Sequence, residues 1–172
     1  FGTGLLFLVT AAVAERSGAP LDYLGLEQSP PPAELLAELG YEELLAPSRL
    51  PQELLAWRAA MAPTPAAGVY HLDRAPVRLE LRVGDARQLP TSSGFHAVYH
   101  DAFSPATSPE LWTPTFLAEL AARLAPGGHL VSFCVASSVR RALAAAGLEV
   151  HKRPGPPGGK REVLTATRPT AA

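Results

Sequence analysis

The sequence lacks several kinds of residue, and each absence narrows the class of protein. It has no isoleucine, no asparagine and only two lysines among its 15 basic residues. Its one cysteine, Cys134, excludes an internal disulfide, which favours a reducing cytoplasm. No apolar run approaches the ~20 residues that cross a bilayer, and the longest, LLFLVTAAVA, has the length of a buried helix. We therefore expect a cytoplasmic protein with no membrane partner.

What remains is the composition of a folded domain with an uneven charge. The 172 residues are 47% hydrophobic and 18% charged, which argues against disorder and allows one sizeable core. Residues 1–62 carry eight acids and three bases, whereas residues 139–172 carry seven bases and two acids. The basic C-terminal segment indicates either an anionic partner or a solvated face, and charge alone does not separate the two.

The order of the predicted elements favours an α/β fold with a mainly parallel sheet. Residues 5–16 are predicted to form a helix that stops at Gly18. Further helices are predicted in SPPPAELLAELGYEELL, QELLAWRAAM, TPTFLAELAARLA and SSVRRALAAAG, and strands in LDYLGLE, VRLELRV, FHAVYHD and HLVSFCV. LEVHKR and REVLTATR are predicted to pair as an antiparallel hairpin across PGPPGG. We find no linker and no repeat, so residues 1–172 are predicted to form a single domain.

Three predicted strands end in an acid, which makes Glu27, Asp85 and Asp101 candidates for a site. Ligands of open α/β sheets bind at the carboxyl ends of the strands. Gly2 and Gly4 form the turn into the first helix, where glycine lets a ligand approach the backbone and the free N–H groups of the helix N-terminus. Glu27 follows at about the twenty-residue spacing of the acid that meets ribose hydroxyls in dinucleotide-type folds. The incomplete glycine pattern favours a nucleoside ligand without a pyrophosphate.

The remaining candidates each have a structural alternative. Asp85 either accepts a hydrogen bond from an adenine amino group or simply forms its own turn. The loop DAFSPATSPELW, which begins at Asp101, is too elaborate for a simple connector and could hold a planar or amine-bearing group. The spacing of Trp112 by itself favours a residue of the hydrophobic core. His71 and His100 have no metal-ligand partners at a suitable spacing, so no metal site is expected.

Five segments follow one another as in a known family. They are FGTGLLFL, LDYLGLEQSP, VRLELRVGDA, HDAFSPATSPELWTP and PGGHLVSFCVASSVRRALAAAGLEVHKR…GGKREVL. Over nearly its whole length the chain resembles the MnmC/MnmD-like tRNA methyltransferases, most specifically in DAFSPATSPELW and in the closing basic pattern. The resemblance implies a Rossmann-like class I methyltransferase fold, with S-adenosylmethionine as cofactor and tRNA as partner. It also implies N-methylation of 5-aminomethyl-(2-thio)uridine at the wobble position, giving 5-methylaminomethyl-(2-thio)uridine.

The resemblance also implies a role for each matching residue. Gly2 and Gly4 would line the methionine end of the cofactor, while Glu27 would hold its ribose and Asp85 its adenine. Asp101 would be the catalytic residue that receives the substrate amine. Phe103 and Pro105 would shape the slot that receives this amine, and the anticodon nucleotide would be placed with the help of Trp112, Lys160 and Arg161.

Two features concern the extent of the fold. FGTG is similar to the family's GFGTG turn, so we expect the first strand of the sheet to lie upstream of Phe1, outside the given sequence. The chain has no room for the FAD-dependent oxidase domain of some relatives, which predicts a methyltransferase-only form and leaves the upstream oxidation to a separate enzyme. The loop before Lys160 is one residue longer than the family pattern.

The sequence is also compatible with three other functions. A methyltransferase for a small amine would keep its activity in high salt, unlike an enzyme that binds tRNA. A non-catalytic RNA-binding partner of a tRNA-modifying oxidase would have no use for Asp101 and its loop. A nicotinamide-dependent dehydrogenase fits least, because the glycine turn and the basic tail suit it poorly.

Overall fold

The computed structural model describes residues 1–159 and 161–170, and the chain divides into two compact units, Phe1–Gln88 and Leu89–Ala172. Each unit has its own sheet and its own hydrophobic core. The prediction of a single domain over residues 1–172 stays a prediction, as does that of a strand upstream of Phe1. No helix in the described part of the chain has the length and apolar character needed to span a membrane.

The first unit is built around a sheet of strand order β1-β3-β2. β1 and β3 are parallel, and Glu27 lies opposite Val83, so both strands end at the same edge. β2 is antiparallel to β3. The elements are α1 (Leu5–Ser17), β1 (Leu21–Glu27), α2 (Ala33–Ala37), α3 (Tyr41–Leu44), α4 (Leu50–Ala59), β2 (Gly68–Arg74) and β3 (Val77–Val83).

The second unit is built around a sheet of strand order β4-β5-β7-β6. β4 and β5 are parallel, whereas β7 is antiparallel to β5 and to β6. The β6–β7 pair confirms the predicted C-terminal hairpin. The elements are β4 (Phe95–Tyr99), a 3₁₀ helix (Pro109–Trp112), α5 (Pro114–Arg123), β5 (Leu124–Ser132), α6 (Ser137–Ala145), β6 (Glu149–Pro154) and β7 (Glu162–Thr167).

Both cores follow the apolar spacing of the sequence. β3 buries every second residue, as expected for a strand with one face on the core. α6 buries Val139 and Leu143, which are four residues apart and so share one helix face. The first core contains Phe7, Leu8, Ala11, Leu50, Leu54, Val77 and Leu79, and the second is formed mainly by Leu117, Leu124, Leu130, Leu143 and Leu164.

Glycine accounts for two differences from the predicted elements. The segment predicted as one long helix forms the short helices α2 and α3, because Gly40 adopts a left-handed φ of +65° between them. Strand β5 begins at Leu124, directly after α5, although the PGG sequence was expected to precede the strand. Gly127 has a φ of +76°, and an added Cβ on Gly128 would lie 2.7 Å from the Phe95 carbonyl oxygen, so glycine lets this irregular stretch pass beside β4.

Long-range pairing accounts for the other difference. β2 was not predicted, because YHLDR shows a weaker strand pattern than VRLELRV, and β2 forms by pairing with β3. Two of the pairings in the described sheets are parallel and three are antiparallel. The expectation of a mainly parallel sheet therefore holds only for β1–β3 and β4–β5, and the sheets as a whole are mixed.

Candidate active site

The turn before α1 is closed by Glu27. Gly2 and Gly4 both have left-handed backbones, with φ of +58° and +80°, which side chains rarely adopt. The Gly2 amide donates a hydrogen bond to Glu27 Oε2 at 2.7 Å, and the Ser29 amide donates to Oε1 at 2.9 Å. The structure therefore brings the predicted Gly2, Gly4 and Glu27 together at the carboxyl end of β1.

The N-terminus of α1 follows this turn directly. The helix begins at Leu5 with no side-chain cap and no acidic residue in its first turn. The first amides of a helix have no acceptor within the helix, and together with the helix dipole they favour an anionic group. The turn at Gly4 thus leads into a position suited to a carboxylate.

Close packing holds the glycine turn against β1. A Cβ added to Gly25 would lie 2.7 Å from Cδ2 of Phe1, and one added to Gly4 would lie 3.2 Å from Cζ of the same ring. The Phe1 ring therefore occupies the space that side chains at these two glycines would need. Gly25 was not predicted as a site residue, although a glycine inside a strand is a sequence signal for close approach.

Asp85 lies just beyond β3, at the edge of the sheet where Glu27 ends β1. Its Oδ1 accepts a hydrogen bond from the Arg87 amide at 2.9 Å, and its Oδ2 accepts one from the Arg87 guanidinium at 2.6 Å. These hydrogen bonds lower the pKa of the Asp85 carboxyl below its usual range. The turn-forming role of Asp85 is thus present, and both carboxylate oxygens already accept hydrogen bonds from Arg87.

Arg58 was not predicted as part of the site, yet it braces the loop that follows β1. Its side chain is buried, with 3% of the residue exposed. Among the described residues, the guanidinium donates hydrogen bonds to backbone carbonyl oxygens alone, at 2.8 Å to Pro31 and 2.9 Å to Pro63, and also to Pro30 and Ala62. The sequence shows that Arg58 lies between two proline-rich segments, but it does not show which carbonyl oxygens the side chain contacts.

In the second unit, Asp101 follows the carboxyl end of β4. The His100 amide donates to the Val131 carbonyl oxygen at 2.9 Å, which extends the β4–β5 pairing up to the candidate acid. Asp101 is exposed to solvent. Phe103, two residues later, is 76% exposed, which is unusual for a phenylalanine in a folded protein. An acid and an exposed aromatic ring thus stand in the same short loop.

The loop after Asp101 is held by its own hydrogen bonds. The Ser104 carbonyl oxygen accepts from the Thr107 amide at 2.8 Å, which closes a turn with Pro105 at its second position. The indole N–H of Trp112 donates to the Phe103 carbonyl oxygen at 2.7 Å. Trp112 is buried in the core, so its direct role is to fix the backbone at Phe103.

His100 is a buried neutral group beneath this loop. Its ring centroid lies 4.3 Å from that of Trp112 and 5.9 Å from that of Phe116. Burial lowers the pKa of His100 to about 4, against a smaller opposing effect of a hydrogen bond to the Leu111 backbone. Its Nε2 atom has no hydrogen-bond partner among the described residues. The structural role expected for His100 agrees with this environment.

Of the last two predicted residues, Arg161 directly precedes β7. Lys160 is outside the described residues. Arg161 is exposed, and its carbonyl oxygen accepts a hydrogen bond from the Gly155 amide at 2.9 Å. Because β7 runs antiparallel to β5, with Leu164 opposite Ser132, Arg161 lies at the sheet edge where β4 and β5 end. This is the same edge of the second-unit sheet as Asp101.

Curated relatives match the chain over its full length. The tRNA 5-methylaminomethyl-2-thiouridine biosynthesis bifunctional protein MnmC of Aromatoleum aromaticum is 39% identical over 190 residues, covering 100% of this chain and 28% of that protein. The protein of the same name from Ralstonia nicotianae is 38% identical over 179 residues, covering 99% of this chain and 26% of that protein. The chain therefore spans about a quarter of the length of these relatives.

A solved structure and a family profile agree with these relatives. The crystal structure of MnmC2 from Aquifex aeolicus superimposes with a TM-score of 0.65 at 26% identity, covering 95% of this chain and 52% of that chain. The predicted Rossmann-like methyltransferase fold is thereby confirmed, as is the resemblance to the MnmC type. Residues 52–169 match a family profile described as S-adenosyl-L-methionine-dependent methyltransferase. The chain belongs to this family of S-adenosyl-L-methionine-dependent methyltransferases, and S-adenosylmethionine is its cofactor.

Proposed function

We propose that the chain methylates the exocyclic amine of 5-aminomethyl-(2-thio)uridine at the wobble position of tRNA, giving 5-methylaminomethyl-(2-thio)uridine. The observation that carries the proposal is the loop at the end of β4, where exposed Asp101 stands two residues before the exposed ring of Phe103. An amine needs an acceptor such as a carboxylate, and a nucleobase stacks on an aromatic face. The relatives named for 5-methylaminomethyl-2-thiouridine biosynthesis support the same substrate.

The first unit fits the three parts of the cofactor. The carboxylate at the methionine end suits the free amides at the start of α1, reached through the turn at Gly2 and Gly4. Each Glu27 oxygen accepts one backbone amide, so lone pairs remain for two ribose hydroxyls. Asp85 would accept from the adenine amino group. When bound, the cofactor supplies a methyl group on a positively charged sulfur, which an amine can attack without further activation.

The second unit supplies the groups that act on the acceptor. Asp101 would accept hydrogen bonds from the amine, orient its lone pair toward the methyl group and receive the proton that the nitrogen releases. The carboxylate would also stabilise the positive charge that develops on that nitrogen. Phe103 and Pro105 would shape the slot, and Trp112 would hold Phe103 through its backbone.

The RNA contacts and the setting of the reaction belong to the same proposal. Lys160 and Arg161 would place the anticodon nucleotide, with phosphate contacts that give affinity without sequence reading. The reaction would take place in the cytoplasm, where a separate oxidase acting upstream would provide the aminomethyl precursor.

The test uses methyl-labelled S-adenosylmethionine, the chain and tRNA that carries the aminomethyl wobble uridine, with the digested nucleosides read by mass spectrometry. We expect labelled 5-methylaminomethyl-(2-thio)uridine. The variant Asp101→Asn should lower turnover by about 10²- to 10⁴-fold, because it loses the proton acceptor, and should leave cofactor affinity within a few-fold of the parent. Glu110→Gln removes an exposed acid from the same loop and serves as the matched control.

Three results would count against the proposal. Label found only on free small amines, with tRNA unlabelled, would indicate a small-amine methyltransferase. Cofactor binding without any transfer, in the parent chain as in Asp101→Asn, would indicate a non-catalytic role. Normal turnover in Asp101→Asn would contradict the role given to Asp101.

A further inference from the structure

The second unit carries a cavity of about 390 Å³ that the proposed transfer reaction does not use. It lies between one face of α6 and one face of β6. The α6 residues follow the spacing of a single helix face, and the two β6 residues alternate along the strand and so share its face. The lining residues are Ser137, Arg140, Arg141, Ala144, Val150 and Lys152.

The cavity has an excess of positive charge. Lys152 forms an ion pair with Glu162 at 2.8 Å. Arg140 donates to the Ser137 hydroxyl at 3.1 Å and to the Val135 carbonyl oxygen at 3.3 Å, and both partners are neutral. Over the described residues, neither Arg140 nor Arg141 has a carboxylate within 4.0 Å. Three cations therefore face one carboxylate, and two guanidinium groups remain available to an anion.

Two independent features agree with an anion site. The pKa of the Glu162 carboxyl lies below its usual value, mainly because of Lys152 and with further effects of Arg161 and Arg140, so positive potential extends across the hairpin. α6 begins at Ser137, behind an alanine that provides no side-chain cap and with no acid in the first turn. The positive end of the helix dipole is therefore at the cavity.

The lining favours the phosphates of a polymer over a small buried ligand. Arg141 and Lys152 are exposed, so their charges are at the rim, where they can meet an extended chain. None of the six lining residues is aromatic, so the cavity offers no surface on which a nucleobase could stack. Arginine and lysine with backbone N–H groups are the usual contacts of phosphate oxygens in nucleic acids.

The position of the cavity relates it to the candidate acceptor site of the same unit. Lys152 on β6 lies opposite Leu164 on β7, and Leu164 lies opposite Ser132 at the end of β5. Val131, the residue before Ser132, pairs with Tyr99 at the end of β4. Lys152 is therefore level with the end of β4, three strand spacings away, or about 14 Å. Asp101 and the cavity occupy the same edge of the sheet, at an interval that a few nucleotides can cross.

We propose that this cavity binds backbone phosphates of the RNA acceptor, so that a stretch of chain a few nucleotides from the methylated base is fixed on α6 and β6. This inference rests on the proposed function for the identity of the RNA. The inference assigns phosphate binding to Arg140, Arg141 and Lys152, in addition to the Lys160 and Arg161 of the proposed function. The contacts contribute affinity and position, and they carry no sequence information.

The experiment measures the affinity of the 172-residue chain for an unmodified tRNA transcript between about 50 and 200 mM KCl. Each lost phosphate contact should reduce the slope of log K against log salt by about 0.9. We expect this reduction, with a several-fold weaker affinity at the lower salt, for Arg141→Gln and for Lys152→Gln. Arg141→Lys keeps the charge and should keep the slope.

The matched control is Arg153→Gln. Arg153 is adjacent to Lys152 on β6 but on the opposite face of the strand, so the net charge changes equally while the cavity stays intact. The proposal is overturned if Arg153→Gln reduces the slope as much as Lys152→Gln does. It is also overturned if Arg141→Gln leaves the slope unchanged, or if the parent chain does not bind the transcript.

This measurement separates the two proposals. A salt slope that falls in Arg141→Gln and Lys152→Gln alone supports the phosphate site even when the aminomethyl tRNA is not methylated, in which case only the proposed function fails. Normal methylation, together with unchanged salt slopes in both variants, would support the proposed function and would reject the cavity as a phosphate site. In methyl-transfer assays, the cavity variants should raise the KM for tRNA and leave kcat unchanged, since they do not touch the reacting atoms.

Discussion

At the scale of single residues, His100 shows how a buried group supports the loop above it. The ring is 7% exposed and packs against Trp112, whose indole N–H holds the Phe103 carbonyl oxygen. A charged imidazolium in this apolar setting would lose its hydration without gaining a carboxylate partner. The stability of the unit that carries Asp101 should therefore depend on the neutral state of this histidine.

The dependence on pH follows from the direction of the pKa shift. The pKa of His100 is about 4 in the folded chain and about 6.5 when unfolded, so between these values only the unfolded chain binds the proton. The folded state should lose up to about 3 kcal/mol as the pH falls through this window, and no more below it. Urea unfolding at about pH 7 and pH 4.5 measures the loss.

Replacement of the histidine provides the comparison. His100→Gln should reduce the difference in unfolding free energy between the two pH values, because the titrating group is gone. His71→Gln removes an exposed histidine and should retain the parent's difference. Equal pH dependence in the parent and in His100→Gln would show that other groups cause the acid sensitivity.

At the scale of elements, Arg58 connects α4 to the loop that follows β1. The guanidinium donates hydrogen bonds to backbone carbonyl oxygens in two loops. Both loops contain proline, which has no amide N–H, so they have few backbone donors of their own. The same loop provides the Ser29 amide that binds the Glu27 carboxylate. The position of Glu27 is therefore linked to α4 through one buried side chain.

Removal of this guanidinium should have two effects. Arg58→Met leaves buried carbonyl oxygens without donors and should lower the unfolding free energy by about 3 kcal/mol. It should also weaken binding of S-adenosylmethionine, because the loop beside Glu27 is released. Calorimetric titration and urea unfolding test both effects, with Arg16→Met, an exposed arginine of α1, as the control. A destabilised variant with unchanged cofactor affinity would show that the brace serves the fold alone.

Local sequence predicted the elements where spacing or a motif was decisive. The limits of α1, the strand that ends in Glu27 and the C-terminal hairpin follow from periodicity and glycine stops. β2 depends on pairing with β3, and the division into α2 and α3 depends on one left-handed glycine, so neither could be predicted from apolar spacing. In the candidate site, Gly2, Gly4 and Glu27 were predicted from their spacing along the chain, and the structure brings them together. The partners of Arg58 and the cavity beside α6 arise from residues distant in sequence.

At the scale of the whole molecule, the chain combines an acidic first unit with a basic C-terminal segment. The candidate cofactor residues Gly2, Gly4, Glu27 and Asp85 belong to the first unit, and the candidate acceptor residues belong to the second. Binding of the cofactor to the folded chain should therefore stabilise it by linkage. The affinity of the chain for RNA should depend on the charges of the second unit.

The linkage gives a measurable stabilisation. S-adenosylmethionine at 100 times its Kd should raise the unfolding free energy by about 2.7 kcal/mol. Glu27→Gln should lose most of this increase, since an amide cannot accept from the Gly2 and Ser29 amides and from ribose hydroxyls as a carboxylate does. Thermal unfolding with and without cofactor measures it, and Glu34→Gln, on α2, is the control. A full increase in Glu27→Gln would remove Glu27 from the cofactor site.

The carbonyl partners of Arg58 also bear on how the sequence can change over evolution. Main-chain oxygens are common to all residue types, so substitutions at the four partner positions do not alter what the guanidinium binds while the loops keep their paths. Selection on the brace should thus act on position 58 alone. A saturation mutagenesis library should show position 58 restricted to arginine, with markedly more variation at positions 62 and 63.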